Sequence, residues 1–164
     1  MSQHTHAPGT DHAAPTVGST AALLDVKSIG KQGIADADVP TNPHFKTIGG
    51  ETTIRALVER FYWHMDALPE AQTIRALHPP DLWPVKEVLY KFLVGWMGGP
   101  QLYAAERGQP RLRRKHLPFQ IGDAERDAWM ACMTRALDDV VPDDALRTQL
   151  TQAFFKTATF LRNQ

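Results

Sequence analysis

The feature that most constrains this chain is a stripe of apolar residues at the spacing of one α-helix face. Between positions 54 and 65, large apolar side chains recur at intervals of three and four residues, which places them on one side of a helix. They are Ile54, Leu57, Val58, Phe61, Tyr62 and Met65. The pair Gly49 and Gly50 directly before this stripe predicts a chain reversal. No convincing pair of strands is visible elsewhere, so we expect an all-α fold.

A second helix is predicted over residues 83–96. Its inward face is expected to consist of Val85, Val88, Leu89, Phe92, Leu93 and Trp96. The sequence Gly98-Gly99-Pro100 disfavours continuation and ends this helix. Residues 70–77 leave room only for a short helix before Pro79 and Pro80.

Two more long helices complete the pattern. The third is predicted to start after Gly122 with Asp123 as its N-cap, and Pro142 ends it. Its buried stripe is expected to contain Trp129, Cys132, Met133, Ala136, Leu137 and Val140. The fourth helix is predicted over residues 143–161, and its inward residues are Leu146, Leu150, Phe154, Thr157 and Leu161.

The length of 164 residues suits one domain with a sizeable core. Residues 1–42 contain no Phe, Tyr or Trp and are rich in Ala, Gly, Pro, Thr and His. Such a segment buries too little apolar area to offset the entropy lost on ordering. We therefore expect a flexible N-terminal extension over 1–42 and one folded domain over 43–164.

Charge and hydropathy argue against several classes of function. The 18 basic and 18 acidic residues cancel, so no global field attracts nucleic acid or an anionic membrane. No window approaches the roughly 20 apolar residues of a membrane span, and the N-terminus lacks the features of a signal peptide. Cys132 is the only cysteine, which excludes an internal disulfide and a cysteine-rich zinc site. We expect a cytoplasmic protein.

The segment over residues 100–122 is long for a connection between two helices, and it contains a dense cluster of positive charge. Four cations directly precede a histidine, and the cluster is Arg111, Arg113, Arg114, Lys115 and His116. Two interpretations are open: the cluster is a solvated surface, or it faces an anion while His116 carries out chemistry. A nucleic-acid site is disfavoured because no aromatic residue lies among the cations.

Four blocks of sequence stand out when they are read in order. They are FY at 61–62, HP at 78–79, KFLVGWMGGP at 91–100 and QPRLRRKHLPFQIGDAERDAW at 109–129. Together they resemble the group II truncated haemoglobins of bacteria, over residues about 43–162. The resemblance implies a two-over-two helical sandwich in which helices B, E, G and H enclose a b-type haem. It places these helices at 51–67, 83–96, 123–140 and 143–161.

The resemblance places the proximal ligand of the haem iron on His116, in a very short helix. A neutral imidazole binds iron through one ring nitrogen, while its other N–H meets a backbone carbonyl. Haem carries two propionates, and arginine side chains match the geometry of carboxylates. We expect Arg111 and Arg113 to contact them, whereas Arg114 and Lys115 are equally well explained as solvated side chains.

On the distal side, the resemblance places Tyr62 over the open coordination position of the iron. Trp129 matches a distal tryptophan whose indole N–H donates to the bound ligand, and His78 completes the set. Val85 falls where many globins have a histidine. Distal polarity is therefore expected from Tyr62, Trp129 and His78.

The remaining haem contacts are predicted to be apolar. They are Leu89, Phe92, Leu93, Phe119 and Met133. The family assigns no role to His44 or His64, and His64 is expected to be exposed because it lies two residues from the Tyr62 face.

The function implied by the resemblance is reversible binding of O2 and of other diatomic ligands such as NO and CO, by a monomer or a homodimer. A polar distal pocket favours tight binding or redox chemistry over oxygen delivery. Two alternatives stay open. One is nitric oxide dioxygenase or peroxidase-like activity supported by a reductase, and the other is a haem-based sensor that acts through residues 1–42.

Overall fold

The computed structural model describes residues 43–164, and its regular elements in that range are all helical. They are α1 (Phe45–Ile48), α2 (Gly50–Ala67), α3 (Gln72–Arg75), α4 (Trp83–Trp96), α5 (Leu102–Arg107), α6 (Leu112–His116), α7 (Asp123–Val140) and α8 (Asp144–Phe160), with a 3₁₀ turn at Pro69–Ala71 before α3. The predicted all-α fold is confirmed. The extension predicted over 1–42 lies outside the described residues. None of the described helices is long and apolar enough to cross a membrane.

The four long helices form two packed pairs. Helix α2 packs against α4, α7 packs against α8, and the pairs meet mainly where α2 lies on α7. The core at this junction contains Phe61 and Met65 from α2 and Met133 and Leu137 from α7, all closed to solvent. Burial of such side chains stabilises a domain by about 1.5–3 kcal/mol each. The arrangement is the expected two-over-two sandwich.

The ends of the long helices lie within a residue of the predicted positions, but the cap of α7 differs. Gly122, not Asp123, occupies the N-cap position, and its N–H donates to Glu125 Oε2 at 2.8 Å. The carboxylate that closes the first turn is therefore three residues into the helix, as in a capping box. The Asp123 carboxylate instead accepts from Arg126 and from Arg162, which follows α8.

Two glycines allow the short helix α1 to pack tightly on its neighbours. Gly49 has φ +108°, a left-handed conformation that ends α1 and starts α2, in agreement with the predicted reversal. At Gly99 a Cβ atom would lie 2.5 Å from Phe45 Cδ2. Only glycine admits Phe45 there, where the Phe45 N–H donates to the Met97 carbonyl at 2.8 Å.

The buried face of α4 differs from the prediction. Val85, Leu93 and Trp96 are buried as expected, but Val88, Leu89 and Phe92 are only half-buried. Tyr90 and Val94 are buried instead, because α4 packs against both α2 and α5. The Tyr90 hydroxyl donates to Glu51 Oε2 at 2.6 Å. The apolar side chains of Val88, Leu89 and Phe92 on α4 are thereby left partly open to solvent.

The prediction that His64 is exposed is wrong. His64 is 8% exposed, and its Nε2 lies 2.7 Å from Asp139 Oδ2 on α7. Arg60 Nε donates to the same carboxylate oxygen at 2.7 Å. The reason is that α2 contacts two long helices, so its buried arc is wider than one apolar stripe.

Candidate functional site

His116 is the last residue of α6, and its surroundings fix which ring nitrogen carries hydrogen. Nδ1 lies 2.6 Å from the carbonyl oxygen of Leu112. A carbonyl oxygen only accepts, so Nδ1 is the donor and Nε2 of the neutral ring carries an unshared electron pair. Burial lowers the pKa of His116 more than the bond to Leu112 raises it, and nearby Lys115 lowers it further. The neutral ring with Nδ1 held has the form of a metal ligand.

The cations before His116 divide into separate roles. Arg113 Nη1 donates to the Phe160 carbonyl at 3.1 Å, and its guanidinium lies 5.5 Å from the Phe160 ring centroid. Lys115 Nζ donates to the Tyr103 hydroxyl of α5. Arg111 is exposed at the start of α6 in a left-handed conformation with φ 45°. Arg111 is thus the better placed of the two arginines predicted to meet an anion.

Ring contacts connect Tyr62 with His78 and, through Phe61, with Trp129, and we call Tyr62, His78 and Trp129 the distal group. The Phe61 ring lies 5.0 Å from the Tyr62 ring and 5.1 Å from the Trp129 ring, measured between centroids. The His78 ring lies 5.7 Å from that of Tyr62 and nearly perpendicular to it. Tyr62 is 4% exposed. Tyr62 thus contacts His78 directly, whereas Tyr62 and Trp129 are connected by their shared contact with Phe61.

Burial determines the protonation of the Tyr62 hydroxyl. Desolvation raises the pKa of Tyr62 well above its usual value of 10, against a smaller lowering by Arg75. The phenol therefore keeps its hydrogen at any physiological pH and acts as a donor. Among the described residues, this hydroxyl has no hydrogen-bond partner. The fully buried polar side-chain atoms without a partner in this range are Trp96 Nε1 and Thr159 Oγ1.

His78 is also held in one tautomer. Its Nδ1 lies 2.8 Å from the Ile74 carbonyl oxygen, so Nδ1 is the donor and Nε2 the acceptor. Burial lowers the pKa of His78 and outweighs the bond to Ile74, and the charges of Arg75 and His116 lower it further. Arg75 fixes the loop after His78 by donating to the carbonyls of Pro79 and Pro80 at 3.0 and 3.2 Å.

The residues predicted as haem walls fall into two groups. Leu89, Phe92 and Phe119 are half-buried, as is Trp129 of the distal group. Leu93, Met133 and Val85 are 1%, 0% and 6% exposed and belong to the closed core. Contact with an apolar ligand would remove more apolar surface from water at the half-buried side chains than at the closed core, because the half-buried side chains are still partly hydrated.

Two residues that sequence reasoning missed contact the segment around His116. Tyr103, buried in α5, accepts from Lys115 and packs edge-on against Phe92 with ring centroids 6.2 Å apart. The apolar pair Leu102 and Tyr103 within a segment expected to be a loop was the available signal. Asn163 donates to the carbonyls of His116 and Phe119, and no local pattern in the sequence points to it.

The described residues fit a haem group by their chemistry. His116 offers Nε2, the partly exposed side chains of Leu89, Phe92 and Phe119 are apolar, and Arg111 supplies a cation. Within residues 43–164 no group of three His, Cys, Asp or Glu side chains is placed to hold a metal ion by itself. A site with one histidine, an apolar surface and a buried phenol suits a metal that arrives within a macrocycle.

Comparison with known proteins agrees with this geometry. The model of the bacterial-like globin family matches residues 43–163. The chain is 36% identical over 115 residues to a group 2 truncated haemoglobin of Bacillus subtilis, which covers 70% of this chain and 85% of that protein.

Two solved structures extend the comparison to the fold. A group II two-on-two haemoglobin from Agrobacterium tumefaciens has a TM-score of 0.72 at 42% identity, over 76% of this chain and 96% of the other. A cold-adapted truncated haemoglobin from Pseudoalteromonas haloplanktis also has a TM-score of 0.72, at 39% identity, over 76% and 99%. The chain therefore belongs to the bacterial-like globins and, within them, to the group II truncated haemoglobins.

Proposed function

We propose that this globin domain binds haem b through His116 Nε2 and holds O2 and other diatomic ligands beside the distal group. The observation that carries the proposal is the pairing of two features. His116 has Nδ1 committed to Leu112, and the distal group contains the Tyr62 hydroxyl, which has no hydrogen-bond partner among the described residues and belongs to a side chain that is 4% exposed. Binding a small polar ligand gives that hydroxyl the acceptor it lacks.

Haem supplies an iron atom that binds a diatomic ligand reversibly and exchanges electrons. On the proximal side, His116 stays neutral because of burial, and its bond to Leu112 directs Nε2 away from the α6 backbone. Arg111 is the proposed propionate contact. Arg113 is the weaker candidate because its guanidinium already donates to the Phe160 carbonyl.

On the distal side, Tyr62 and Trp129 both act as donors. The Tyr62 hydroxyl and the Trp129 indole N–H stabilise a ligand atom that gains negative charge. Phe61 contacts both rings and holds them at a fixed spacing. Such preorganised donors slow the release of O2, so the site favours tight binding over delivery.

The test is haem titration of the apoprotein, followed by its Soret absorption. We expect a His116→Ala variant to lose the band of a histidine-bound haem, and a His116→Gly variant to regain it when imidazole is added. His44→Ala is the matched control, since it removes a histidine from the N-terminal side of α1. An unchanged spectrum in His116→Ala would overturn the assignment.

A second candidate function, peroxidase-like turnover, is favoured by the tautomer of His78. With hydrogen on Nδ1, the Nε2 electron pair can accept a proton from hydrogen peroxide. Because its pKa is lowered, His78 remains an acceptor below pH 6.5. We expect His78→Gln to lower the rate of peroxide-dependent oxidation of a phenolic electron donor by roughly a hundredfold. Retention of the full rate would exclude His78 as the base.

A further inference from the structure

The residues that follow α8 are bonded to the segment around His116. We call residues 112–122, which comprise α6 and the turn after it, the proximal segment. Asn163 Nδ2 donates to the Phe119 carbonyl at 2.7 Å and to the His116 carbonyl at 3.2 Å. The side-chain oxygen Oδ1 of Asn163 accepts from the Ile121 N–H at 3.0 Å. The backbone N–H of Asn163 donates to the Ile121 carbonyl at 2.9 Å. One side chain thus joins three peptide groups of the proximal segment.

The bonding capacity of the Asn163 amide is almost completely used. The amide nitrogen has two hydrogens and meets two carbonyl oxygens, while the amide oxygen meets one N–H. This combination of donors and acceptor on one short side chain is particular to asparagine. Aspartate has the same shape but would set a charged oxygen against two carbonyl oxygens.

The proximal segment needs support of this kind because α6 has only five residues. A helix so short is not stable alone, since few bonds offset the ordering of its backbone. No side chain caps its start, and Arg111 at that position has a positive φ. The position of His116 is therefore imposed by contacts from outside α6.

Three side-chain contacts supply that support, and one of them reaches the ligand residue itself. Lys115 is bonded to Tyr103 of α5, and Arg113 to the Phe160 carbonyl at the end of α8. Asn163 binds the His116 carbonyl directly, which also accepts from the Phe119 N–H at 3.0 Å. Of the three, Asn163 has the most direct influence on where the imidazole lies.

We propose that Asn163 is a positioning residue for the proximal ligand, which holds His116 in place and thereby slows haem loss. The inference rests on the proposed function in one respect, the assignment of His116 as the iron ligand. The bonds themselves are independent of haem. Asn163 acts through the backbone of the proximal segment and touches neither haem nor its gaseous ligand.

Two substitutions separate positioning from general stabilisation. Asn163→Ala removes all three side-chain bonds, and Asn163→Asp keeps the shape and the acceptor but removes both donors. Arg162→Ala is the matched control, because Arg162 pairs with Asp123 on α7 and not with residues 116–121. Gln164→Ala is a second control, since Gln164 contributes its backbone N–H to Ile121.

The first measurement is amide hydrogen exchange in the apoprotein. We expect the protection of the Ile121 N–H to fall about tenfold in Asn163→Ala, because its acceptor is lost. The second is made on haem-loaded protein, where both Asn163 variants are expected to lose haem to apomyoglobin about ten times faster than wild type. The iron–histidine stretching band in resonance Raman spectra of the ferrous form should shift and broaden in both. The two controls should match wild type.

The outcomes distinguish the inference from the proposed function. Failure of wild type to bind haem through His116 would refute the proposed function, and hydrogen exchange would still report whether Asn163 holds the proximal segment. Unchanged protection of Ile121 in Asn163→Ala overturns the inference. It is also overturned if the protection falls but the iron–histidine band and the rate of haem loss stay at wild-type values. Thermal unfolding of each apoprotein shows whether a variant is folded, and Asn163→Asp provides the test if Asn163→Ala is not.

Discussion

The three members of the distal group offer a ligand different chemistry at the scale of single residues. Tyr62 and Trp129 each have a hydrogen to donate, whereas neutral His78, with Nδ1 bonded to Ile74, offers an electron pair at Nε2. A ligand that gains negative charge is therefore stabilised by the first two. A ligand with a proton, such as peroxide, is recognised by the third. Under the proposed function, these side chains serve both O2 binding and proton removal from peroxide in the positions that they have in the structure.

The contribution of the Tyr62 hydroxyl is testable by Tyr62→Phe. The ring contacts with Phe61 and His78 remain, and the only group removed is a hydroxyl that has no partner among the described residues. We expect O2 to dissociate roughly 10 to 100 times faster, since a hydrogen bond to a charged acceptor contributes about 1.5–3 kcal/mol. Stopped-flow displacement of O2 by CO measures the rate.

Tyr90→Phe is the matched control for that experiment. It removes a tyrosine hydroxyl that donates to Glu51 at 2.6 Å, on the part of α4 that packs against α2. The control should leave the O2 dissociation rate at the wild-type value. Equal rates in Tyr62→Phe and Tyr90→Phe would show that the Tyr62 hydroxyl does not reach the ligand.

At the scale of helices, apolar periodicity predicts where elements lie but not how wide their buried faces are. The stripe from Ile54 to Met65 lies within α2 as predicted, because a helix must bury an apolar side. The same stripe fails at His64, since a second helix covers that side and supplies Asp139 as a partner. Tyr90 of α4 is buried for a similar reason. A sequence pattern contains no information on how many neighbours a helix has.

The link between α2 and α7 through His64 is expected to stabilise the domain. Burial raises the pKa of Asp139, but hydrogen bonds from Arg60 and His64 outweigh it and hold that pKa below its usual value. We predict a coupling free energy of about 1 kcal/mol between His64 and Asp139 in a double-mutant cycle of alanine variants. Chemical denaturation of the four proteins measures it.

The neighbouring residue Asp138 provides the control for this cycle. Its carboxylate faces Arg147 at 3.4 Å instead of His64. The effects of His64→Ala and Asp138→Ala should therefore add. A coupling between His64 and Asp139 no larger than that between His64 and Asp138 would contradict the proposed link.

The candidate site was predictable where its residues lie within one sequence block and not where distant elements meet. His116 and its preceding cations form such a block, and the resemblance located them. The bonds of Arg113 to Phe160 and of Asn163 to His116 each span 47 positions. They depend on how α8 ends relative to α6, which no local pattern determines. Arg113 is accordingly the residue whose predicted propionate contact receives least support.

At the scale of the whole molecule, the match to the globin family begins at residue 43. The family match ends at 163, and the described core and the candidate site residues lie within the same range. The alternative in which residues 1–42 make the protein a sensor requires that they change ligand binding. A chain shortened to 43–164 tests that requirement directly.

We expect the shortened chain to keep the stability and ligand kinetics of the full chain. Its free energy of unfolding should agree within about 0.5 kcal/mol, the range typical of changes that touch no buried group. Haem binding to the folded state should stabilise both chains equally, because it acts by mass action. At a free haem concentration of a hundred times the dissociation constant, the stabilisation is about 2.7 kcal/mol. Thermal unfolding with and without haem and the O2 dissociation rate give the comparison. An O2 dissociation rate that differs severalfold between the two chains would mean that residues 1–42 act on the site, as a sensor requires.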